Sequence, residues 1–193
     1  KLQQYDKPEV LYHHPANVFV AGFIGSPAMN FLVATPAEDG AANMMSIGSS
    51  TIKLGPLAGE NNIAAGEKII VGIRPEHLAW RPADENTTTH LRARVELVER
   101  LEPESFVAVS LTDPAAQVHA GDKEISGGAN AEEELAKQDT NLLMMRMPAQ
   151  TVPNRGDIIE LVIDVGQTQL FNFATGTALF RDRSALAKSL QTD

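Results

Sequence analysis

Arg74-Pro75-Glu76-His77 is the most chemically loaded tetrapeptide in the chain. An arginine fork beside an imidazole can bind an anionic solute through charge-assisted hydrogen bonds. The other reading is structural: Pro75 ends a strand, and Arg74 and Glu76 pair with each other or cap a turn. The structural reading is preferred. His13, His14, His90 and His119 supply no His-x-x-x-His pair, and adjacent His13 and His14 on a helix point in different directions. The sequence holds no cysteine, so disulfides and thiolate metal sites are excluded. Without clustered carboxylates no metal site is expected. A Gly-x-Ser-x-Gly elbow is also missing. Glu102 with Glu104, and Glu132 to Glu134, read as solvated loop charges. No catalytic residue is expected.

A nucleotide-hydrolysing P-loop needs Gly-x-x-x-x-Gly-Lys-Ser/Thr so that backbone N–H groups cradle phosphates. That string does not occur in the 193 residues, and the chain itself is not expected to hydrolyse ATP. The net charge of -9 and the single tryptophan and two tyrosines argue against nucleic acid, which calls for a basic groove and stacking aromatics. The longest apolar stretch, Val18 to Ile24, is far below the roughly 20 residues of a membrane span. The opening Lys1-Leu2-Gln3-Gln4-Tyr5-Asp6 is too polar for a signal peptide. The missing initiator Met fits a fragment.

These residues must be positioned by a mainly β fold with short N-terminal helices. Pro8 to Tyr12 predicts a helix with proline in its first turn. A second helix, Ala16 to Ile24, places Phe19 with Phe23 and Val20 with Ile24 on shared faces. It carries few polar residues, so it must bury itself against its own barrel or against another subunit. Gly25-Ser26-Pro27 stops it. Strands are predicted at Met29–Ala34, Met44–Gly48, Thr51–Leu54 and Lys68–Ile73. Leu91, Ala93, Val95 and Leu97 alternate with charged residues, Leu97-Val98 breaks the alternation as a bulge would, and Val107 to Leu111 returns antiparallel across Glu102-Pro103. Leu142–Met147 and Ile158–Val165 complete the long strands. Many short strands and frequent turn signals point to a small barrel or sandwich. Gly66-Glu67 followed by an apolar strand echoes Gly156-Asp157 followed by another, as a duplicated unit or as common turn chemistry. Asp113 to Asp139 reads as a surface excursion with a short helix from Asn130 to Lys137. Arg181 to Asp193 reads as a short helix or frayed tail.

Two stretches are specific enough to name a family. They are Phe19-Val20-Ala21-Gly22-Phe23-Ile24-Gly25-Ser26-Pro27-Ala28-Met29-Asn30-Phe31-Leu32 and Val71-Gly72-Ile73-Arg74-Pro75-Glu76-His77-Leu78. Together they resemble the C-terminal regulatory region of the ATP-binding subunits of bacterial ABC importers for sugars and glycerol-3-phosphate, the maltose-importer type. Gln4 to Tyr12 with Pro15-Ala16-Asn17, Val95 to Glu99 with Leu101, and Gly156 to Val165 with Leu170 to Phe173 extend the resemblance over most of the chain. After Leu101, Glu102-Pro103 replaces the Gly of the family's usual Leu-Gly. Ile125-Ser126-Gly127-Gly128 looks like part of the ABC signature, but it ends in Ala129 and follows the regulatory motifs, so it is read as a decoy.

The resemblance implies an OB-like, TOBE-type small barrel. Residues 1–25 would be the helical segment leaving an ATPase domain, residues 26–183 the regulatory domain, and residues 184–193 a tail. It implies a homodimer through this domain, permease subunits reached through the absent ATPase domain, and a regulatory protein or small ligand as further partners. ATP and Mg would be cofactors of the absent domain and none of this chain. The place would be the cytoplasmic face of the inner membrane, as a peripheral subunit. Gly72, Ile73, Arg74, Pro75, Glu76 and His77 would be a structural motif of the regulatory fold. Phe23, Ile24, Gly25, Ser26, Pro27, Met29, Asn30 and Phe31 would be either a packed helix-to-strand junction or a contact between two copies. A rival function is a sensor of the same fold, binding an oxyanion or sugar phosphate at Arg74.

Overall fold

The structure is a computed structural model describing residues 2–37, 43–54, 63–64, 66–83, 91–120 and 142–179. It opens with helices α1 (Pro8–His13) and α2 (Val18–Phe23). Pro8 sits in the first turn of α1, where its missing N–H would have no helical acceptor in any case. Asn17 caps α2 by accepting the Val20 N–H at 2.9 Å. The second helix is shorter at both ends than predicted: Asn17 is already extended, and so is Ile24.

The strands are β1 (Asn30–Pro36), β2 (Met44–Ile47), β3 (Ser50–Lys53), β4 (Ile69–Ile73), β5 (Leu78–Pro82), β6 (Arg92–Leu101), β7 (Glu104–Leu111), β8 (Leu142–Pro148), β9 (Ile158–Ile163), β10 (Gln169–Asn172) and β11 (Ala178–Leu179). They build a first sheet in the order β11-β10-β4-β1-β2-β3 and a second in the order β5-β9-β6-β7-β8. The mainly β, OB-like fold therefore takes the form of two antiparallel sheets, not one closed cylinder. Their facing sides share a core: Leu32, Met45, Ile69, Val71 and Leu170 from the first sheet meet Val95, Val107, Val109, Leu143, Met145 and Ile159 from the second.

β4 is buried along its whole length, because both of its faces are covered. Ile69, Val71 and Ile73 face the shared core. Ile70 faces the other way and packs with Met29, Phe31 and Phe171 beneath Val18 and Ala21 of α2. The apolar helix therefore buries itself against its own sheet. A Cβ on Gly72 would lie 2.5 Å from Met29 Sδ and 2.9 Å from the Phe171 ring, so this second core closes only over a glycine.

The β6–β7 hairpin turns over Glu102-Pro103 as predicted, with a register shift between Val95 and Leu97. The extra residue, Glu96, reverses the alternation. Val98 then packs toward the core, while Leu97 turns out to 38% exposure. β5 has no alternating signature in the sequence. It is an edge strand, the position that tolerates its terminal Pro82.

The start of the predicted excursion is tied to the first sheet. Val118 bridges Leu32, and the Val33 and His119 N–H groups donate to Gln117 and Phe31 carbonyls, each at 2.9 Å. Asp113 accepts from the Ser49 N–H at 2.7 Å, the Ser49 hydroxyl at 2.8 Å and the Ala115 N–H at 2.9 Å. Those bonds, the Ser49 amide first, hold its carboxyl below the usual range. A depressed carboxyl adds stability that is complete above its unfolded pKa of about 3.9 and is lost as pH falls through the folded value. Urea midpoints followed from about pH 6 downward should therefore drop more steeply for the native chain than for Asp113→Asn. Parallel curves would show that the clamp adds nothing. The predicted helix Asn130–Lys137, the Ser126-Gly127-Gly128 string, His90 and the terminal stretch from Arg181 lie outside the described residues.

Residues 2–25 are bound to the β structure. Gln4 spans the α1–α2 junction, donating to the His14 carbonyl at 3.2 Å and accepting from the Ala16 N–H at 2.8 Å. Gln3 accepts from the Asn17 amide at 2.9 Å. Asn17 bridges Thr177, and the Val18 and Ala178 N–H groups bond to Gly176 and Ala16 carbonyls, each at 2.9 Å.

Candidate functional site

Arg74 follows the last residue of β4 and precedes the proline that opens a 3-10 turn, Pro75–His77. A residue before proline is pushed to extended backbone, and Arg74 has φ -70° and ψ 146°. Its side chain runs back under the helices and is 2% exposed. Nη1 donates to the Ile24 carbonyl at 2.5 Å and Nη2 to the Tyr12 carbonyl at 2.6 Å. The guanidinium carbon lies 3.6 Å from the centroid of the Tyr12 ring, a cation–π contact.

The Tyr12 hydroxyl donates to the Glu76 carboxylate, and Gln169 Nε2 donates to the His13 carbonyl at 3.1 Å. Gly25, at φ +129°, passes so close that a Cβ there would stand 2.9 Å from Arg74 Nη1. Burial lowers the Arg74 pKa, opposed by Tyr12 and Glu76. Burial alone would raise Glu76, but the Tyr12 hydroxyl, its own backbone N–H and the charges of His77 and Arg74 outweigh it and hold the carboxyl below its ordinary value. Burial and the bond to Glu76 raise the Tyr12 phenol.

Arg74 and Glu76 thus meet through Tyr12: one carries its ring and carbonyl, the other takes its hydroxyl. Nothing in the sequence marks Tyr12 as the partner of Arg74, 62 residues away, or Gln169 as a donor to the Tyr12 carbonyl, 157 residues away. The terminal guanidinium nitrogens are spent on main-chain carbonyls, so the arrangement joins α1 and α2 to the end of β4. Of the histidines, His13 and His14 are exposed, His77 is half-buried, and His119 makes edge contacts with Phe31 and Phe173 at 6.5 and 5.8 Å.

The stretch from Phe23 to Phe31 divides in two. Phe23 is 67% exposed and stacks on Phe19 at 6.1 Å. Gly25 and Ser26 are exposed, and Ile24 and Pro27 half-buried. Met29 and Phe31 are in the second core. Asn30 is also buried: its amide donates to the Met144 carbonyl at 2.8 Å and accepts the Met144 N–H at 2.7 Å. It acts as one rung of ladder between the sheets. Gly72 and Ile73 are buried in β4.

Residues 25–78 match the family model of the MalK OB fold domain. The match includes Arg74 and Glu76 but not Tyr12 or Gln169, and the Phe23–Phe31 stretch from Gly25 onward. Over 92% of its length the chain is similar to the trehalose import ATP-binding protein SugC of Mycobacterium tuberculosis, at 35% identity and covering 44% of that protein. It is 32% identical to the diacetylchitobiose uptake system ATP-binding protein MsiK of Streptomyces coelicolor, over 92% of this chain and 43% of that protein. It is 33% identical to the trehalose/maltose import ATP-binding protein MalK of Thermococcus litoralis, over 93% of this chain and 42% of that one. The chain therefore spans less than half the length of these curated relatives.

Proposed function

We propose that the chain is the regulatory and dimerisation domain of the ATP-binding subunit of an ABC transporter that imports a sugar or sugar-like solute. The observation that carries this is the similarity of over nine-tenths of the chain to ATP-binding subunits of sugar importers, with no P-loop string in the sequence. ATP and Mg would be handled by an ATPase domain elsewhere in the full polypeptide. The permease subunits would be reached through that domain, from the cytoplasmic face of the membrane. Among the described residues no helix is long and apolar enough to cross a membrane.

This domain would hold two subunits together and bias their opening and closing, since any contact favouring one arrangement shifts the equilibrium. The exposed Phe23 with Ile24, Gly25, Ser26 and Pro27 offers the contact; Met29, Asn30 and Phe31 support it from within. In the full-length subunit, Phe23→Asp should weaken the dimer about tenfold or more by sedimentation equilibrium, as expected for an aromatic anchor, and leave the melting temperature of this domain unchanged. An unaltered dimer constant rejects the Phe23 surface. A sensor built on Arg74 is not favoured, because a ligand there would have to displace the carbonyls of Tyr12 and Ile24.

A further inference from the structure

A polar row crosses the outer face of the first sheet, away from the shared core. Ala34 on β1 pairs with Ile69 on β4, so one step further sets Lys68 opposite Thr35. Thr35 in turn pairs with Ser46 on β2. Ala34, Met45, Ile47 and Ile69 point into the core, and strand alternation turns Lys68, Thr35 and Ser46 outward together. The segment held by Asp113 and Val118 stands beside this row and closes a groove of about 260 Å³ lined by Lys68, Thr35, Ser46, Gln117 and Val33 among others.

The Thr35 and Ser46 hydroxyls and the Gln117 amide have no hydrogen-bond partner among the described residues. Lys68 is exposed, with its ammonium 5.6 Å from the centroid of the Phe173 ring. The nearby acids are turned elsewhere: Glu67 accepts from the Ala64 N–H at 3.0 Å, and Asp113 from Ser49 and Ala115. Among the described residues no carboxylate is part of the lining; Asp113 stands behind the lining Gly48. An ammonium with three neutral hydrogen-bonding side chains, and no acid among the described lining residues, fits an anionic oxygen group. The volume lies just below the range of ligand pockets, about 300–1,000 Å³, which limits the occupant to a small group.

We propose that this groove binds a small molecule bearing a phosphate or carboxylate group, with Lys68 as its charge partner and Thr35, Ser46 and Gln117 as hydrogen-bond partners. The site is separate from the Arg74 joint and does not depend on dimerisation. The test is an amide NMR titration of the isotope-labelled chain with inorganic phosphate, acetate and glucose at fixed ionic strength. Saturable shifts at Thr35, Ser46 and Gln117 with phosphate or acetate, and none with glucose, are expected, and the stronger anion names the group. Lys68→Met, at an exposed position that leaves the spectrum dispersed, should weaken that binding about tenfold, the scale of one charge-assisted contact. Unsaturated shifts scattered over the surface, an equal response to glucose, or unchanged binding in Lys68→Met would each overturn the proposal.

Discussion

Arg74→Met is expected to lower the melting temperature by about 10 °C, since hydrogen bonds to a charged group contribute about 1.5–3 kcal/mol each and a chain of this size loses about 2–4 °C per kcal/mol. The substitution strips two carbonyls, Tyr12 and Ile24, of their donors inside a site where the side chain is 2% exposed. It also removes the cation from the Tyr12 ring. Arg74→Lys should recover only part of the loss, because an ammonium lacks the planar fork that meets two acceptors while lying on an aromatic face. Tyr12→Phe keeps the ring and gives up one hydroxyl bond, so its effect should be about 1 kcal/mol. Thermal unfolding of the three variants checks the ranking. A melting temperature for Arg74→Met within error of the native chain would mean that the joint contributes nothing to the fold.

The second large effect concerns α1 and α2. A chain shortened to begin at Gly25 should fail to fold cooperatively, or should melt far below the native chain. Removing Val18 and Ala21 uncovers Met29, Phe31, Ile70 and Phe171. If some 200 Å² of apolar surface is exposed, the loss is on the order of 5 kcal/mol at ~25 cal/mol per Å², a large part of the whole stability of a domain. The same cut leaves the Arg74 fork without acceptors. A shortened chain that melts sharply at the native temperature would mean that the helices merely rest on the sheet. Scanning calorimetry of the two chains decides between these outcomes.

The sequence reads well where its periodicity is local. The alternation of Leu91, Ala93 and Val95 and the return through Val107 and Val109 predict the longest hairpin, and the broken alternation at Leu97-Val98 signals the bulge within two residues of its place. The apolar α2 announces that it must be covered, yet composition cannot choose between its own sheet and another subunit. That choice rests on Gly72 opening room for Met29 and Phe171. The echo between Gly66-Glu67 and Gly156-Asp157 has a physical cause in turn chemistry. Each glycine adopts positive φ, at 79° and 90°. Each following acid accepts the N–H three residues back, Ala64 at 3.0 Å and Asn154 at 2.8 Å.

Long-range partnerships are where the sequence is silent. Tyr12 between Arg74 and Glu76, and Asn30 on the backbone of Met144, join residues more than 60 positions apart. Neither pattern has a period or a motif to betray it. The expectation that Arg74 and Glu76 pair with each other or cap a turn identifies two ends of the joint and misses the ring that lies between them.

The clamping of residues 3, 4 and 12 has a mechanical consequence. Gln3 and Gln4 grip the start of α2, and Arg74 grips the end of both helices from the tip of β4. Anything joined ahead of Gln3 is therefore mounted on a stiff bracket and not on a hinge. A twist applied there would load these hydrogen bonds first, and through Arg74 the end of β4, the strand enclosed on both faces.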